Sequence, residues 1–252
     1  MVRIVKLALV STPRSGNTWL RLMVGAAYGL ETVGGHDPYA LDWARMPERC
    51  IVQVHWPAEE GFVNLLDSAG FKVLTIARHP LDVLVSILHF CGREPQTSQW
   101  LLGAGGNEDD LHFKAPTDPE FSQYALGPRA AALLDVSAQW WQQARAVIKV
   151  RYEDLVGDPV KVLRALEADL GPPTAELSAV VAAHAIQNLA KTSSNQHFWQ
   201  GRVGLWRSLV ALSLAQQIAT EHASIFETLR YDVPVGDFLT LNDLQTNWAR
   251  VA

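Results

Sequence analysis

Cysteine is scarce in this chain. Only Cys50 and Cys91 occur in 252 residues, too few for a disulfide framework and not spaced as a metal-ligand pair. Buried thiols in a reducing compartment are the expectation. Charge is scarce as well: charged residues make up 19% of the chain, and the formal net charge is -5. No long basic stripe is visible, which argues against a nucleic-acid partner. Any anion site must be built locally, against the overall sign. No apolar run approaches the roughly 18 residues that span a bilayer, so no integral membrane segment is expected. The N-terminal apolar run is short and does not read as a signal peptide. These absences lead to a cytoplasmic protein. No internal repeat or long low-complexity segment divides the chain. Hydrophobic residues at 48% suffice for one substantial core, so 1–252 is read as a single domain.

What is present is organised around one loop. Ile4 to Val10 is rich in Val, Ile and Leu and reads as a buried strand. From Trp19 to Tyr28, Leu20, Met23, Val24 and Ala27 recur at helical spacing. Between them lies Ser11-Thr12-Pro13-Arg14-Ser15-Gly16-Asn17-Thr18. A strand, a tight loop and a helix start aim backbone N–H groups and the positive end of a helix dipole at one point, which suits an anion such as phosphate. Arg14 adds a planar, charged donor fork, and Ser15, Asn17 and Thr18 add short hydrogen-bonding groups. The nucleotide-triphosphate loop has two glycines and ends Gly-Lys-Ser/Thr. Here there is one glycine, and the basic residue precedes it. The plainer alternative is a strand-to-helix turn capped by Ser or Thr.

Further along, residues 29–49 read as an irregular connection with a short helix near Tyr39–Ala44. Cys50 to Trp56 reads as a second strand, with His55 at its end, where ligands gather in an open parallel sheet. A helix from about Ala58 to Ser68 ends at Gly70. Lys72 to Arg78 reads as a third strand that ends in a cation rather than an acidic metal ligand. Pro80 opens an almost wholly apolar helix over Leu81–Phe90, in which Asp82, Ser86 and His89 require explanation. Ser86 either bonds back to its own helix or faces a ligand held by Arg78. Residues 92–119 carry little pattern, and a loop of that length is functional or disordered. Helix resumes near Glu120, breaks at Gly127-Pro128 and runs to about Ala144. Trp140 and Trp141 are read as core in preference to pocket wall. Ala146 to Tyr152 reads as a fourth strand. Helices follow from Asp158-Pro159 to Gly171, from about Thr174 to Ala190, and from about Leu212 to Leu229, with a polar, glycine-containing segment over Lys191–Trp206. Strands alternating with helices indicate an α/β fold with a mainly parallel sheet.

Four separated pieces line up with one family. The chain resembles the sulfotransferases that use 3′-phosphoadenosine-5′-phosphosulfate as donor. The family's Pro-Lys-Ser-Gly-Thr-Thr-Trp loop matches Pro13-Arg14-Ser15-Gly16-Asn17-Thr18-Trp19. Its Lys-Thr-His-X-Pro segment matches Gln53-Val54-His55-Trp56-Pro57. Its Arg-X-Pro/Ala-X-Asp-X-X-X-Ser segment matches Arg78 to Ser86, and its Tyr-Glu-Asp-Leu block matches Tyr152 to Leu155. The resemblance implies a three-layer αβα domain with a central mainly parallel sheet, the P-loop nucleotide-hydrolase-like sulfotransferase fold. It implies that Arg14 to Trp19 hold the 5′-phosphosulfate and adenine, that Arg78 and Ser86 hold the 3′-phosphate, and that Tyr152 lies near the adenine. Departures are clear. Arg14 replaces a lysine, and Gln53 replaces another beside the histidine. The family's Arg-Lys-Gly-X-X-Gly-Asp-Trp block becomes Trp199-Gln200-Gly201-Arg202-Val203-Gly204-Leu205-Trp206. Two cations are lost there, and Arg202 is the candidate replacement beside Gly201. A helix-start dimerisation motif of animal members is not matched after Arg207, so oligomeric state does not carry over.

The implied reaction moves a sulfuryl group to a hydroxyl or amine of a small-molecule, lipid or carbohydrate acceptor. His55 would act as general base and Arg14 as stabiliser of the departing phosphate. The product would be adenosine 3′,5′-bisphosphate, and no metal is expected. The acceptor is expected against residues 29–49 and 92–130, where Tyr39, Trp43, Trp100, His112, Phe113 and Tyr124 supply an aromatic and polar mixture. Two other readings stay open: a phosphate-loop small-molecule kinase using ATP–Mg, and a non-catalytic member of the fold that binds the donor without turnover.

Overall fold

The computed structural model describes residues 3–92, 94–192, 198–236 and 239–252. Five strands, β1 (Val5–Val10), β2 (Glu31–Gly34), β3 (Arg49–Val54), β4 (Lys72–Ala77) and β5 (Val147–Arg151), form one sheet. Their order is β2-β3-β1-β4-β5, and every pairing is parallel. Helices α1 (Asn17–Tyr28), α2 (Glu60–Ser68), α3 (Pro80–Cys91), α4 (Pro119–Ala125) and α5 (Pro128–Trp141) lie in the first part of the chain. After β5 come α6 (Tyr152–Gly157), α7 (Pro159–Ala165), α8 (Glu167–Leu170), α9 (Leu177–Ala183), α10 (Ile186–Thr192), α11 (Leu212–Glu221), α12 (Ala223–Leu229) and α13 (Leu241–Val251).

Successive strand side chains point to opposite faces, so the central strands serve two cores. In β1, Leu7 and Leu9 pack with Leu20, Met23 and Val24 of α1. Ala8 and Val10 belong to the other core, with Leu66 of α2, Leu84 of α3 and Leu133 of α5. The same alternation divides β4, where Val73 and Ala77 serve one face and Leu74 and Ile76 the other. A parallel sheet covered on both sides is the arrangement that such near-continuous apolar strands require. None of the described helices is long and apolar enough to cross a membrane.

The strand order creates the site. From β1 the chain moves to β2 and β3 on one side, then crosses to β4 on the other. Ligands bind beyond the strand ends at such a reversal. Register sets which residues meet there. Val10 of β1 is opposite Val54 of β3, so Ser11 and His55 leave the sheet side by side. Ala77 of β4 is opposite Arg151 of β5, so Arg78 and Tyr152 do likewise.

Several expectations are corrected. The connection over 29–49 contains an edge strand, β2, four residues long and mostly exposed. In place of a helix near Tyr39–Ala44 there are two 3-10 turns, Pro38–Ala40 and Trp43–Arg45, capped by the side chains of Asp37 and Asp42. The sparse stretch 92–119 contains 3-10 turns at Pro95–Gly103 and Asp109–Leu111; Arg93 lies outside the described residues. The helix expected over Thr174–Ala190 is two helices parted near His184, whose imidazole Nδ1 bonds the Val180 carbonyl at 2.8 Å. The helix over Leu212–Leu229 breaks at His222, whose Nε2 meets the Ala125 carbonyl at 2.8 Å. Of the polar segment read over 191–206, residues 193–197 lie outside the described residues.

Candidate active site

The loop after β1 is pinned from below before it can bind anything. Thr12 N–H donates to Ser137 Oγ at 2.8 Å, and Thr12 Oγ1 donates to the Leu133 carbonyl at 2.8 Å. Ser137 Oγ in turn donates to the Ile76 carbonyl at 3.0 Å. Asn17 is buried, and its amide donates to Ser11 Oγ at 2.7 Å and to the Thr12 carbonyl at 2.9 Å. Its side chain therefore shapes the loop.

Gly16 is the N-cap of α1, at φ 97, and no side chain among the described residues caps the helix. The Ser or Thr cap considered from the sequence is thus replaced by a left-handed glycine, which leaves the first-turn N–H groups to a ligand. A Cβ at Gly16 would lie 2.6 Å from the Tyr152 ring. Arg14 also sits at positive φ, 66, a conformation that side-chain-bearing residues adopt rarely and mostly at functional sites.

Two guanidiniums converge over this corner. Arg14 Nε donates to Ser86 Oγ at 3.2 Å, and its guanidinium carbon lies 4.3 Å from the Phe90 ring centroid. Ser86 therefore faces Arg14. Arg78 Nη1 donates to the Arg14 carbonyl at 3.1 Å and Nη2 to the Arg202 carbonyl at 3.2 Å, while its guanidinium carbon lies 4.4 Å from the Tyr152 ring centroid. Burial, together with the nearby Arg78 charge, pulls the Arg14 guanidinium down to about 9. That still leaves it cationic at neutral pH, as guanidiniums in proteins are. Two like charges held together by the fold, Arg14 partly buried and Arg78 buried, favour an anion between them. Ser15 Oγ and Arg78 Nε are buried and find no hydrogen-bond partner among the described residues, which fits a ligand that supplies acceptors.

These groups border a cleft that opens to solvent. Arg14, Gly16, Asn17, Thr18, Trp19 and Arg78 line it together with Ser86, Tyr152 and Gly201. Trp19 is held by its indole N–H, which donates to the His184 carbonyl at 2.8 Å, and lies edge-on to Tyr152. The break between α9 and α10 thus serves the cleft. Ser15 is buried in the loop, 1% exposed. Arg202 enters the site by its carbonyl; its side chain is exposed and lines a neighbouring groove with Leu205 and Pro234.

His55 lies at the end of β3, 8% exposed, with Nδ1 2.8 Å from the Ser11 carbonyl. A carbonyl only accepts, so Nδ1 carries a proton, and in the neutral ring Nε2 has the lone pair. Trp100 stands edge-on to the imidazole, centroids 6.4 Å apart. Trp56, the next residue, donates its indole N–H to Glu59 Oε1 at 2.7 Å, and the same oxygen accepts the Tyr39 hydroxyl at 2.6 Å.

Two carboxylates of the matched motifs, given no role from the sequence, hold the site together. Asp82 is 1% exposed; its two oxygens accept from the Gly204 N–H at 2.7 Å and the Trp206 N–H at 3.0 Å. This carboxylate ties the altered glycine block to the first turn of α3. Glu153 accepts from the His79 N–H at 3.1 Å and the Tyr231 hydroxyl at 2.6 Å. Burial pushes the His79 imidazole down, and it stacks on Trp206. The sequence signal for Asp82 was a carboxylate on an apolar helix, which asks for a partner without naming it. His89, the third polar group of that helix, stacks on Trp199 at 4.0 Å. Two aromatics assigned to the acceptor side prove structural: Trp43 packs in the core against Phe62 and Phe71, and Tyr124 bonds Glu108. Trp140 is core, as read; Trp141 is half-buried against that core and also lies under the Lys149 and Arg151 cations.

Among solved structures the chain is similar to mouse sulfotransferase SULT7A1 complexed with PAP, at 18% identity and TM-score 0.63, covering 92% of this chain and 86% of that one. It is also similar to retinol dehydratase in complex with androsterone and PAP, at 16% identity and TM-score 0.53, covering 93% and 84%. Curated protein sequences give no significant match. The family profile described as "Sulfotransferase domain" matches residues 29–218, beginning after the loop and spanning His55, Arg78, Ser86, Tyr152 and Gly201. With most of its length so matched, the chain belongs to the sulfotransferase domain family.

Proposed function

We propose that the chain transfers a sulfuryl group from 3′-phosphoadenosine-5′-phosphosulfate to a hydroxyl or amine of a small-molecule, lipid or carbohydrate acceptor. One observation carries this reading. Two guanidiniums, an uncapped helix N-terminus and an imidazole with its Nδ1–H committed to a carbonyl meet at neighbouring strand ends. The PAP bound in the similar structures, read as adenosine 3′,5′-bisphosphate, and the androsterone and retinol in two of them support the donor and acceptor classes. The cation at the end of β4, Arg78, favours this donor over ATP–Mg. Cys50 and Cys91 are free and buried, which fits the cytoplasmic setting we assign.

The residues fit the donor. Arg14, Ser15 and the first-turn N–H groups of α1, from Asn17 through Thr18, would hold its 5′-phosphosulfate. Arg78, Ser86 and the backbone at Gly201–Arg202 would hold the 3′-phosphate, with Trp19 and Tyr152 beside the adenine. The donor supplies the sulfuryl group and a phosphate leaving group. His55 Nε2 takes the acceptor's proton as the acceptor–sulfur bond forms and the sulfur–phosphate oxygen bond breaks. Arg14 stabilises the negative charge that grows on the departing phosphate. A positioned base of this kind contributes about 10²–10⁴-fold. The test is transfer of labelled sulfate by His55→Ala: a loss of about 10²–10⁴-fold is expected, with bisphosphate affinity retained. Undiminished transfer would remove His55 from the chemistry.

A further inference from the structure

The reading of the site as a sulfuryl-transfer centre leaves one buried cluster without a role. The Glu108 side chain is fully buried, and its Oε1 accepts from Arg129 Nε at 2.7 Å and from the Tyr124 hydroxyl at 3.0 Å. An ion pair in such a place costs several kcal/mol in desolvation per ion unless its remaining donors are satisfied. Here they are spent on one segment of backbone. Arg129 Nη1 donates to the Ala104 carbonyl at 2.9 Å, and Nη2 to the carbonyls of Trp100 at 3.0 Å and Thr97 at 3.3 Å.

Between those carbonyls lie Leu101 and Leu102, each at φ 50, and Gly103 at φ 74. A side-chain-bearing residue pays about 1–2 kcal/mol for the left-handed region. Such strain survives only where the surroundings over-determine it, and it gathers at functional sites. The guanidinium brackets the strained turn on both sides, and the residue it thereby fixes is Trp100.

Trp100 is 6% exposed. Its ring stacks on Phe90, centroids 5.6 Å apart and planes at 16°, and Arg14 lies over the same Phe90 ring. His55 meets the indole edge-on at 77°. A column of rings therefore runs from the donor loop to the imidazole. Helix α5 sets both ends, since it carries Arg129 as well as the Leu133 carbonyl and Ser137 that hold Thr12. The Ser11 carbonyl fixes one edge of the His55 ring; the indole restrains its rotation.

We infer that Trp100 is a positioning residue, its indole holding the His55 imidazole in register with the Arg14 loop, and that the buried Arg129–Glu108 pair sets its place. The inference rests on His55 being the base of the proposed transfer. Its test is NMR of protein carrying ¹⁵N-histidine, saturated with adenosine 3′,5′-bisphosphate. The unmodified chain is expected to show His55 as one Nδ1–H tautomer, and Trp100→Phe to keep it. Trp100→Leu fills the space without a ring. It is expected to give a tautomer mixture and a displaced titration midpoint, with bisphosphate affinity within about twofold. On any acceptor that is turned over, kcat should fall by about 10²-fold, the cost of a misplaced reacting group. A single tautomer and an unmoved midpoint in Trp100→Leu would overturn the inference. Arg129→Lys keeps the charge but loses the fork, and carries the same test if Trp100→Leu does not fold. A chain that failed to bind the bisphosphate would undo the donor assignment instead, and the unliganded His55 spectra would still decide the part played by Trp100.

Discussion

Arg14 and Arg78 are the charges that an anionic donor would meet, and each is already organised by the other. Arg78 bonds the Arg14 carbonyl, so the second cation fixes the backbone that presents the first. Removing Arg78 therefore costs a direct contact and the alignment of Arg14. Hydrogen bonds to charged groups are worth about 1.5–3 kcal/mol, so Arg78→Ala should weaken bisphosphate binding by about 10–100-fold, as calorimetry would read. Ser86→Ala removes one neutral partner and should cost about 0.5–1.5 kcal/mol of the same affinity. Arg202→Ala is expected to leave affinity within about twofold, because only its carbonyl reaches Arg78. An equal loss in all three would contradict this ordering.

At the scale of elements, the loop after β1 and the first turn of α3 carry the site. Gly16 permits the left-handed corner that exposes the N-terminus of α1, and the Tyr152 ring occupies the space of any side chain there. Gly16→Ala is expected to lower thermal stability by at least about 1–3 kcal/mol and to abolish bisphosphate binding; a stable variant with full affinity would refute the role given to this corner. Asp82→Ala leaves the Gly204 and Trp206 N–H groups without their carboxylate. Unsatisfied buried donors cost about 1–3 kcal/mol each, so this variant should melt earlier and bind the bisphosphate more weakly. These elements also show what the chain disclosed in advance. The apolar runs at β1, β3 and β4 and the proline that opens α3 were legible, since a fully buried strand and a helix start have local signatures. β2 was not, because a four-residue exposed edge strand carries almost no pattern. The breaks at His184 and His222 were hidden as well: no glycine or proline marks them, and each is set by a tertiary contact.

For the whole molecule, the two cores fix which strand ends are neighbours, and that adjacency assembles a site from residues more than a hundred positions apart. His55, Arg78 and Tyr152 could be picked from motifs, and Asp82 and Glu153 lie in the same motifs, but the distant partners of these two, like the Arg129–Glu108 pair, are named by no local pattern. One such partner, His79, makes the fold sensitive to acid. His79 is held neutral by burial, its pKa below the ordinary value. The unfolded chain then binds the extra proton more readily, so this contribution is complete above about pH 6.5 and is lost as pH falls below it. Melting temperature should drop between neutral and mildly acidic pH, and His79→Gln should flatten that slope; an unchanged slope would place the acid sensitivity elsewhere. The central claim is that one cleft grips a doubly phosphorylated adenosine beside a waiting base. Calorimetry comparing adenosine 3′,5′-bisphosphate with ATP–Mg tests it most directly: the account predicts tighter binding of the bisphosphate, and tighter binding of ATP–Mg would contradict it.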